Sequence, residues 1–304
     1  MDMLRTLKPY LRVGGNRVRF VVICLMAVIV VSCGSGNDAE NGRLGSATTN
    51  DDDVLGSTLE VAEVRFADLM DGMCLVPQGL GPYGCDHEFN ETCEDGDAEL
   101  QLINLPAFFM DIHEATWADY RLCVEAGDCS ENACMPQSGS DDLPVACVSA
   151  AEAKAYCAWK EKRLPTDIEW ERAARGLGGR YYPWGYDWCE TCLNWCDGDA
   201  ACDGSLDGYA ETAPVASFPS GMSPYGALNM SGNVWELTEG NLVDGDEMIP
   251  TTFVRGGGFS NGDVEIPAEI IPEFYLAYRR FAFDEETMVG ELIGFRCAVE
   301  AVYE

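Results

Sequence analysis

Apolar residues in this 304-residue chain form one unbroken run and are otherwise scattered in short, glycine-punctuated groups. The run, FVVICLMAVIVV over 20–31, is twelve residues long. A bilayer-spanning helix needs roughly twenty. Three later segments carry helix start signals. Ser149 and Glu152 make a capping box that opens SAAEAKAYCAWKEK, and Thr166 and Glu169 make a second that opens TDIEWERAAR, with Gly176 as its stop. Thr116, with Asp119 three residues on, opens TWADYRLCVEAG, which Gly127 closes. Pro165 blocks continuation of the helix from 149, so Arg163-Leu164-Pro165 is expected to form the turn between two helices. Beyond residue 180 alternation is weak and glycine frequent, which predicts loops and short strands. The segments there are YYPWGYDW, SPYGALNMSGNVWEL, VRGGGFSNG and GFRCAV. The tryptophan of GNVWE is expected to be buried, and GFRCA to be a strand returning through the core.

Charge gives the apolar run a meaning. Arg5, Lys8, Arg12, Arg17 and Arg19 precede it, and the small residue Ser32 follows it. A basic leader, a short apolar core and a small residue at a processing point describe a secretory signal over 1–32. Val30-Val31-Ser32-Cys33 resembles the lipobox of bacterial lipoproteins, which implies acylation of the Cys33 thiol and a membrane partner through that lipid. An ordinary cleaved signal and a permanent signal anchor are the alternatives. The polar, glycine-rich stretch over 33–63 cannot bury enough surface to order itself and reads as a spacer. One domain is expected over 64–304, on the periplasmic or cell-surface side.

Removing residues 1–32 takes away five basic residues and one acid. The remainder has 14 Lys and Arg against 51 Asp and Glu, a net charge of −37. So acidic a chain argues against nucleic acid as a partner, because phosphate contacts need basic patches. Divalent cations would relieve the self-repulsion; solubility alone is the simpler reading. Of fifteen cysteines, Cys24 lies in the leader and Cys33 is the anchor, which leaves thirteen. In an exported domain so many read as disulfides. The spacing of Cys189, Cys192, Cys196 and Cys202 also suits a zinc cluster superficially, although a second CxxC at longer range is missing. From proximity the expected pairs are Cys85–Cys93, Cys123–Cys129, Cys134–Cys147, Cys196–Cys202 and Cys189–Cys192, with Cys74 left over.

The ordered blocks LPVACVSAAEAKAYCAWKEKRLPTDIEWERAARG, YYPWG, TAPVASFPSGMSPYGALNMSGNVWELTEG, VRGGGF and GFRCA resemble the formylglycine-generating enzyme family, the sulfatase-modifying factors. They cover about 72–300. The resemblance implies an α+β, C-type-lectin-like fold with little regular secondary structure, and a disulfide between Cys157 and Cys297. It also implies two calcium sites. The first takes the side chains of Asn194 and Asp207 with the carbonyls of Trp195 and Tyr209. The second takes the side chains of Asn229 and Glu236 with the carbonyls of Gly232 and Val234. Calcium wants six to eight oxygens of this kind. Without the resemblance, Asn194, Asp207 and Asn229 read as residues bonding turn backbone.

The enzyme of that family oxidises a substrate cysteine with copper(I) held between two thiolates, soft ligands that suit this ion. Here the first thiolate position, in Gly256-Gly257-Gly258-Phe259-Ser260-Asn261, is Asn261, and Gly258 replaces a serine. The second belongs just before the Tyr-Arg segment, yet EFYLAYRR over 273–280 has no cysteine. A family asparagine before Gly-Phe-Arg is also missing, since Leu292-Ile293 stand there. Copper is therefore not expected. An iron site with several histidines would have only His87 and His113 to draw on, both upstream of these loops. The chain reads as a lipid-anchored binding or structural module, with a groove for a peptide or protein ligand rimmed by Phe259, Asn261, Tyr278, Arg279 and Arg296. Arg279 and Arg296 would hold a carboxylate there or pair with core acids. A rearranged oxidase or other modifying enzyme is the alternative.

Overall fold

The computed structural model describes residues 12–13, 16–17, 72–86, 92–94, 96–132, 134–136, 139–196, 204, 207–244, 247–260, 271–283, 290 and 292–301. The chain divides into two units, Met1–Gly56 and Ser57–Glu304. In the first, β1 (Arg12–Val13) pairs antiparallel with β2 (Asn16–Arg17). The apolar run, Cys33 and the expected spacer lie outside the described residues, as do His87, Cys202 and Asn261. Among the described residues no helix is long and apolar enough to cross a membrane.

Among the described residues, the second unit has three small sheets and three helices of nine or ten residues. β3 (Met73–Val76), β6 (Phe108–Asp111) and β11 (Ala298–Glu300) form an antiparallel sheet in the order β11-β6-β3. β4 (Gly79–Tyr83) and β5 (Gln101–Leu105) pair as a hairpin. The third sheet runs β10 (Ile293–Gly294), β7 (Trp235–Asp244), β8 (Glu247–Arg255), β9 (Arg280–Ala282), with β10 parallel to β7.

All three start signals are used. α1 (Trp117–Ala126) is capped by Thr116 and ends on Gly127 in the left-handed region; α2 (Ala150–Trp159) and α3 (Asp167–Arg175) carry complete capping boxes. A cap of this kind contributes about 1 kcal/mol by satisfying otherwise orphaned amides. α4 (Ile271–Phe274) is a single turn. The reversal after α2 is not at Arg163-Leu164-Pro165. It falls at Lys160-Glu161, with Glu161 at φ 58°, and Arg163 is already extended, bridging Ala298 of β11. The expectation of short strands after residue 180 also fails at β7 and β8, which are ten and nine residues long.

Among the described residues, three apolar clusters hold these elements together, the third around Tyr182, Leu193, Trp195, Tyr275 and Leu276. In one, Tyr120 of α1 stacks on Tyr156 of α2 at 5.9 Å, Phe295 meets Tyr156 edge-on at 5.2 Å, and Leu237 and Val254 close the sheet side. In another, Trp170, Ala173 and Ala174 of α3 pack on Val76, Phe108 and Met110. Trp235, expected in the core, is only partly buried and lies against Phe281. The charged residues of α3 are buried instead. Arg255 Nε donates to Asp167 Oδ1 at 2.5 Å and its Nη1 to Glu171 Oε2 at 3.0 Å, while Arg175 Nη1 meets the other Glu171 oxygen at 2.5 Å.

Five disulfides join Cys85–Cys93, Cys123–Cys129, Cys134–Cys147, Cys157–Cys297 and Cys189–Cys192. These are the expected pairs, and they exclude a zinc cluster on Cys189 and Cys192. Cys196 is also disulfide-bonded, and Cys74 is a buried cysteine outside these bridges.

Candidate functional site

The loop carrying Asn194 and the loop carrying NMSGNVWE pack directly on each other. Asn233 N–H donates to Asn194 O at 3.0 Å, and Gly232 sits so close that a Cβ there would lie 2.4 Å from the same oxygen. With φ 83°, position 232 therefore requires glycine on both counts. Asn229 and Asn233 adopt φ 55° and 66°, a conformation asparagine tolerates better than most residues.

Buried amides link the two loops. Asn194 Nδ2 donates to Asn233 Oδ1 at 3.0 Å and to Glu211 O at 2.9 Å. Asn233 Nδ2 donates to Glu114 Oε1 at 2.9 Å, and Asn229 Nδ2 donates to Glu114 Oε2 at 3.0 Å. Glu114 was not singled out from the sequence, yet it ties the second loop to the segment between β6 and α1. Burial pushes its carboxyl up to about 7, with Glu236 adding to the rise and Arg296 opposing it. It stands alone between His113 and Ala115 with no motif spacing to mark it.

The four residues expected at the first calcium site are brought together. The Asp207 carboxylate accepts from Trp195 N–H at 2.7 Å and Tyr209 N–H at 2.9 Å, which places it over both backbone segments. Asn194 Oδ1 is buried and has no hydrogen-bond partner among the described residues, and neither has Asn229 Oδ1. A buried carbonyl oxygen left in that state costs about 1–3 kcal/mol, so each suits a cation. The second set is assembled differently. Gly232, Val234 and Asn229 lie in one buried loop, but Glu236 is engaged by a guanidinium: Arg296 Nε donates to Oε2 at 2.7 Å and Nη2 to Oε1 at 2.6 Å, and Trp170 Nε1 donates to Oε2 at 2.7 Å. A cation beside Glu236 would share its charge with Arg296.

Three of the five expected rim residues are buried, and Arg279 and Arg296 take the other course expected of them, pairing with core acids. Tyr278, Arg279 and Arg296 are each 1% exposed or less. Arg296 also donates to the carbonyls of Asp111, Ile112 and Leu228. Arg279 pairs with Glu94 at 2.9 Å and Asp97 at 3.1 Å and donates to Thr92 O at 2.7 Å; the Tyr278 hydroxyl meets Thr92 Oγ1 at 2.5 Å. The loop that supplies these partners is tethered by the Cys85–Cys93 bridge. In so acidic a chain the few arginines are drawn to buried carboxylates and carbonyls, which repay the cost of desolvating a guanidinium. Among the described rim residues, Phe259 alone is partly exposed, and its N–H bonds to Asn233 O at 2.7 Å. Gly258 is buried, and its carbonyl accepts from the Tyr275 hydroxyl at 3.1 Å.

Copper(I) does not fit this region, because neither 256–261 nor 273–280 contains a thiol. His113 is bonded through Nδ1 to Val215 O at 3.0 Å, and burial, with Arg296 nearby, holds its pKa below the usual histidine value.

The chain is 43% identical over 108 residues to the inactive Cα-formylglycine-generating enzyme 2 of Bos taurus, a match that covers 35% of this chain and 36% of that protein. It thus spans about a third of that relative's length. It is 28% identical over 268 residues to the formylglycine-generating enzyme of Bos taurus, covering 69% of each. The structure of PvdO from Pseudomonas aeruginosa shares the fold, with a TM-score of 0.60 and 22% identity over 75% of this chain and 94% of that one. A family model for the sulfatase-modifying factor enzyme 1-like domain matches residues 60–301, nearly the whole second unit, and the chain belongs to that family.

Proposed function

We propose that this chain is an exported, lipid-anchored member of the family that does not carry out copper-dependent oxidation and serves as a calcium-stapled binding or structural module. The observation that carries this reading is the chemistry of the two segments where the copper thiolates belong. One offers Gly258 and Phe259; the other is closed over Tyr278 and Arg279, which are committed to Thr92, Glu94 and Asp97. Calcium is supported by the convergence of Asn194, Trp195, Asp207 and Tyr209, and by the open Oδ1 atoms of Asn194 and Asn229. The same ion at the second loop would rely on Asn229 and the carbonyls of Gly232 and Val234 more than on Glu236. Attachment through Cys33 is supported by the leader and by the extensive disulfides of the domain, which suit an oxidising compartment.

The test is incubation of the copper(I)-treated protein with oxygen and a Cys-x-Pro-x-Arg peptide, followed by mass spectrometry. The peptide is expected to keep its mass. Appearance of the formylglycine product would replace this reading with that of an oxidase whose site has been rearranged.

A further inference from the structure

We infer that the Cys189–Cys192 bridge is an exchangeable disulfide, opened by thiols at Cys189 Sγ while the rest of the domain stays folded. Three observations carry this. Its half-cystines are three residues apart, against separations of 6, 8, 13 and 140 for the other four bridges with both ends described. Opening it frees only a four-residue turn, whereas opening Cys157–Cys297 must separate two fully buried sulfurs of the main core. Its two sulfurs also differ in access. Cys189 is partly exposed, with its sulfur 3.7 Å from the exposed Thr191 hydroxyl, while Cys192 is 7% exposed and runs directly into buried Leu193 and Asn194. An accessible first cysteine and a shielded second one in Cys-x-x-Cys is the arrangement that directs thiol attack to the first.

The third observation is that the turn is wired to its surroundings. Cys192 N–H donates to Cys189 O at 3.1 Å, and Trp195 Nε1 donates to Glu190 O at 2.9 Å. Trp195 in turn meets Trp188 edge-on at 5.1 Å. A change in the turn therefore reaches two indoles, one on each side of it.

The exchange balances as follows. A thiolate of a dithiol reductant attacks Cys189 Sγ, the Cys189–Cys192 bond breaks, and Cys192 leaves as the thiolate. The second thiol of the reductant, as its thiolate, then attacks the reductant's own sulfur in the mixed disulfide and expels the Cys189 thiolate. Two electrons pass to the protein, the reductant becomes a disulfide, and both protein thiolates take up protons from water at neutral pH. The step does not require the domain to bind calcium or to act on any substrate.

The experiment titrates the folded full chain with dithiothreitol in the absence of denaturant, traps thiols with iodoacetamide, and maps them by mass spectrometry. Cys189 and Cys192 are expected to be alkylated at about tenfold less reductant than opens any other bridge. Tryptophan fluorescence should change in parallel while far-ultraviolet circular dichroism holds steady. The fluorescence change should be absent from the C189S/C192S protein. Prior or simultaneous opening of Cys134–Cys147, whose Cys134 is also exposed, would overturn the inference, as would resistance of Cys189–Cys192 until the circular dichroism is lost. The sulfur that is attacked is identified separately with oxidised glutathione. C192S should become glutathionylated at Cys189 and C189S should not at Cys192; the reverse pattern would refute attack at Cys189.

Discussion

Arg296 and Glu236 meet as a fork in the interior, Nε to Oε2 at 2.7 Å and Nη2 to Oε1 at 2.6 Å, with both residues essentially fully buried. Removing one partner would leave the other charged and desolvated. Arg296→Met is expected to destabilise the domain by about 3–5 kcal/mol. Arg296→Lys should recover little of that, because an ammonium cannot make the paired contact. Urea denaturation measures both, and a loss under about 1 kcal/mol for Arg296→Met would mean the pair does not hold the core together.

Calcium should raise the thermal midpoint of chelator-treated protein. At a hundredfold excess over the dissociation constant the gain is about 2.7 kcal/mol for one site. Asp207→Asn and Asn194→Ala should remove most of that gain, since they strike the only two side chains expected to ligate at the first site. An unchanged melting curve, together with no calcium by elemental analysis, would leave these asparagines as turn-formers alone.

Acid should weaken the α3 network. Burial by itself would raise the Asp167 carboxyl, but Arg255, and then Arg280 and the Tyr83 hydroxyl, outweigh it and hold the group below the usual carboxylate range. A carboxyl depressed in the folded state adds stability above its unfolded pKa of about 3.9, and that stability is lost as pH falls through the folded value. The urea midpoints of wild type and Asp167→Asn should therefore differ near neutrality and converge as pH falls below about 4. Parallel curves down to the acid limit would show that the charge of Asp167 contributes nothing.

Cys33→Ala should abolish incorporation of labelled fatty acid and release the protein from the membrane fraction. If the variant still partitions with membranes after an alkaline wash, the apolar run at 20–31 acts as an anchor in its own right.

The parts of this fold that were legible in the sequence are those set by local chemistry. Thr116, Ser149 with Glu152, and Thr166 with Glu169 mark helix starts because each answers a need within one turn of backbone. The five bridges with both ends described were also readable, four from proximity and Cys157–Cys297 from the family resemblance. What escaped depends on distant partners. Glu114 has no meaning until Asn229 and Asn233 are folded against it. The arginines at 279 and 296 look like groove residues in a list of scarce cations, and only the tertiary structure shows which acids claim them. The β7–β8 hairpin was masked by Gly240, Pro250 and several acids, poor strand formers held in register by pairing across nine positions from Glu236–Arg255 to Asp244–Glu247.

The bridge between Cys157 and Cys297 has a consequence for how such a chain is made. Its two ends are 140 residues apart, one on the second helix and one beside the last strand. During synthesis or passage across a membrane, Cys157 emerges long before its partner. Through that interval it meets every intervening cysteine first, so correct closure depends on those nearer cysteines having already paired among themselves. The short-range bridges thus guard the long one, and an isomerase would be needed most by a molecule in which one of them had failed to form.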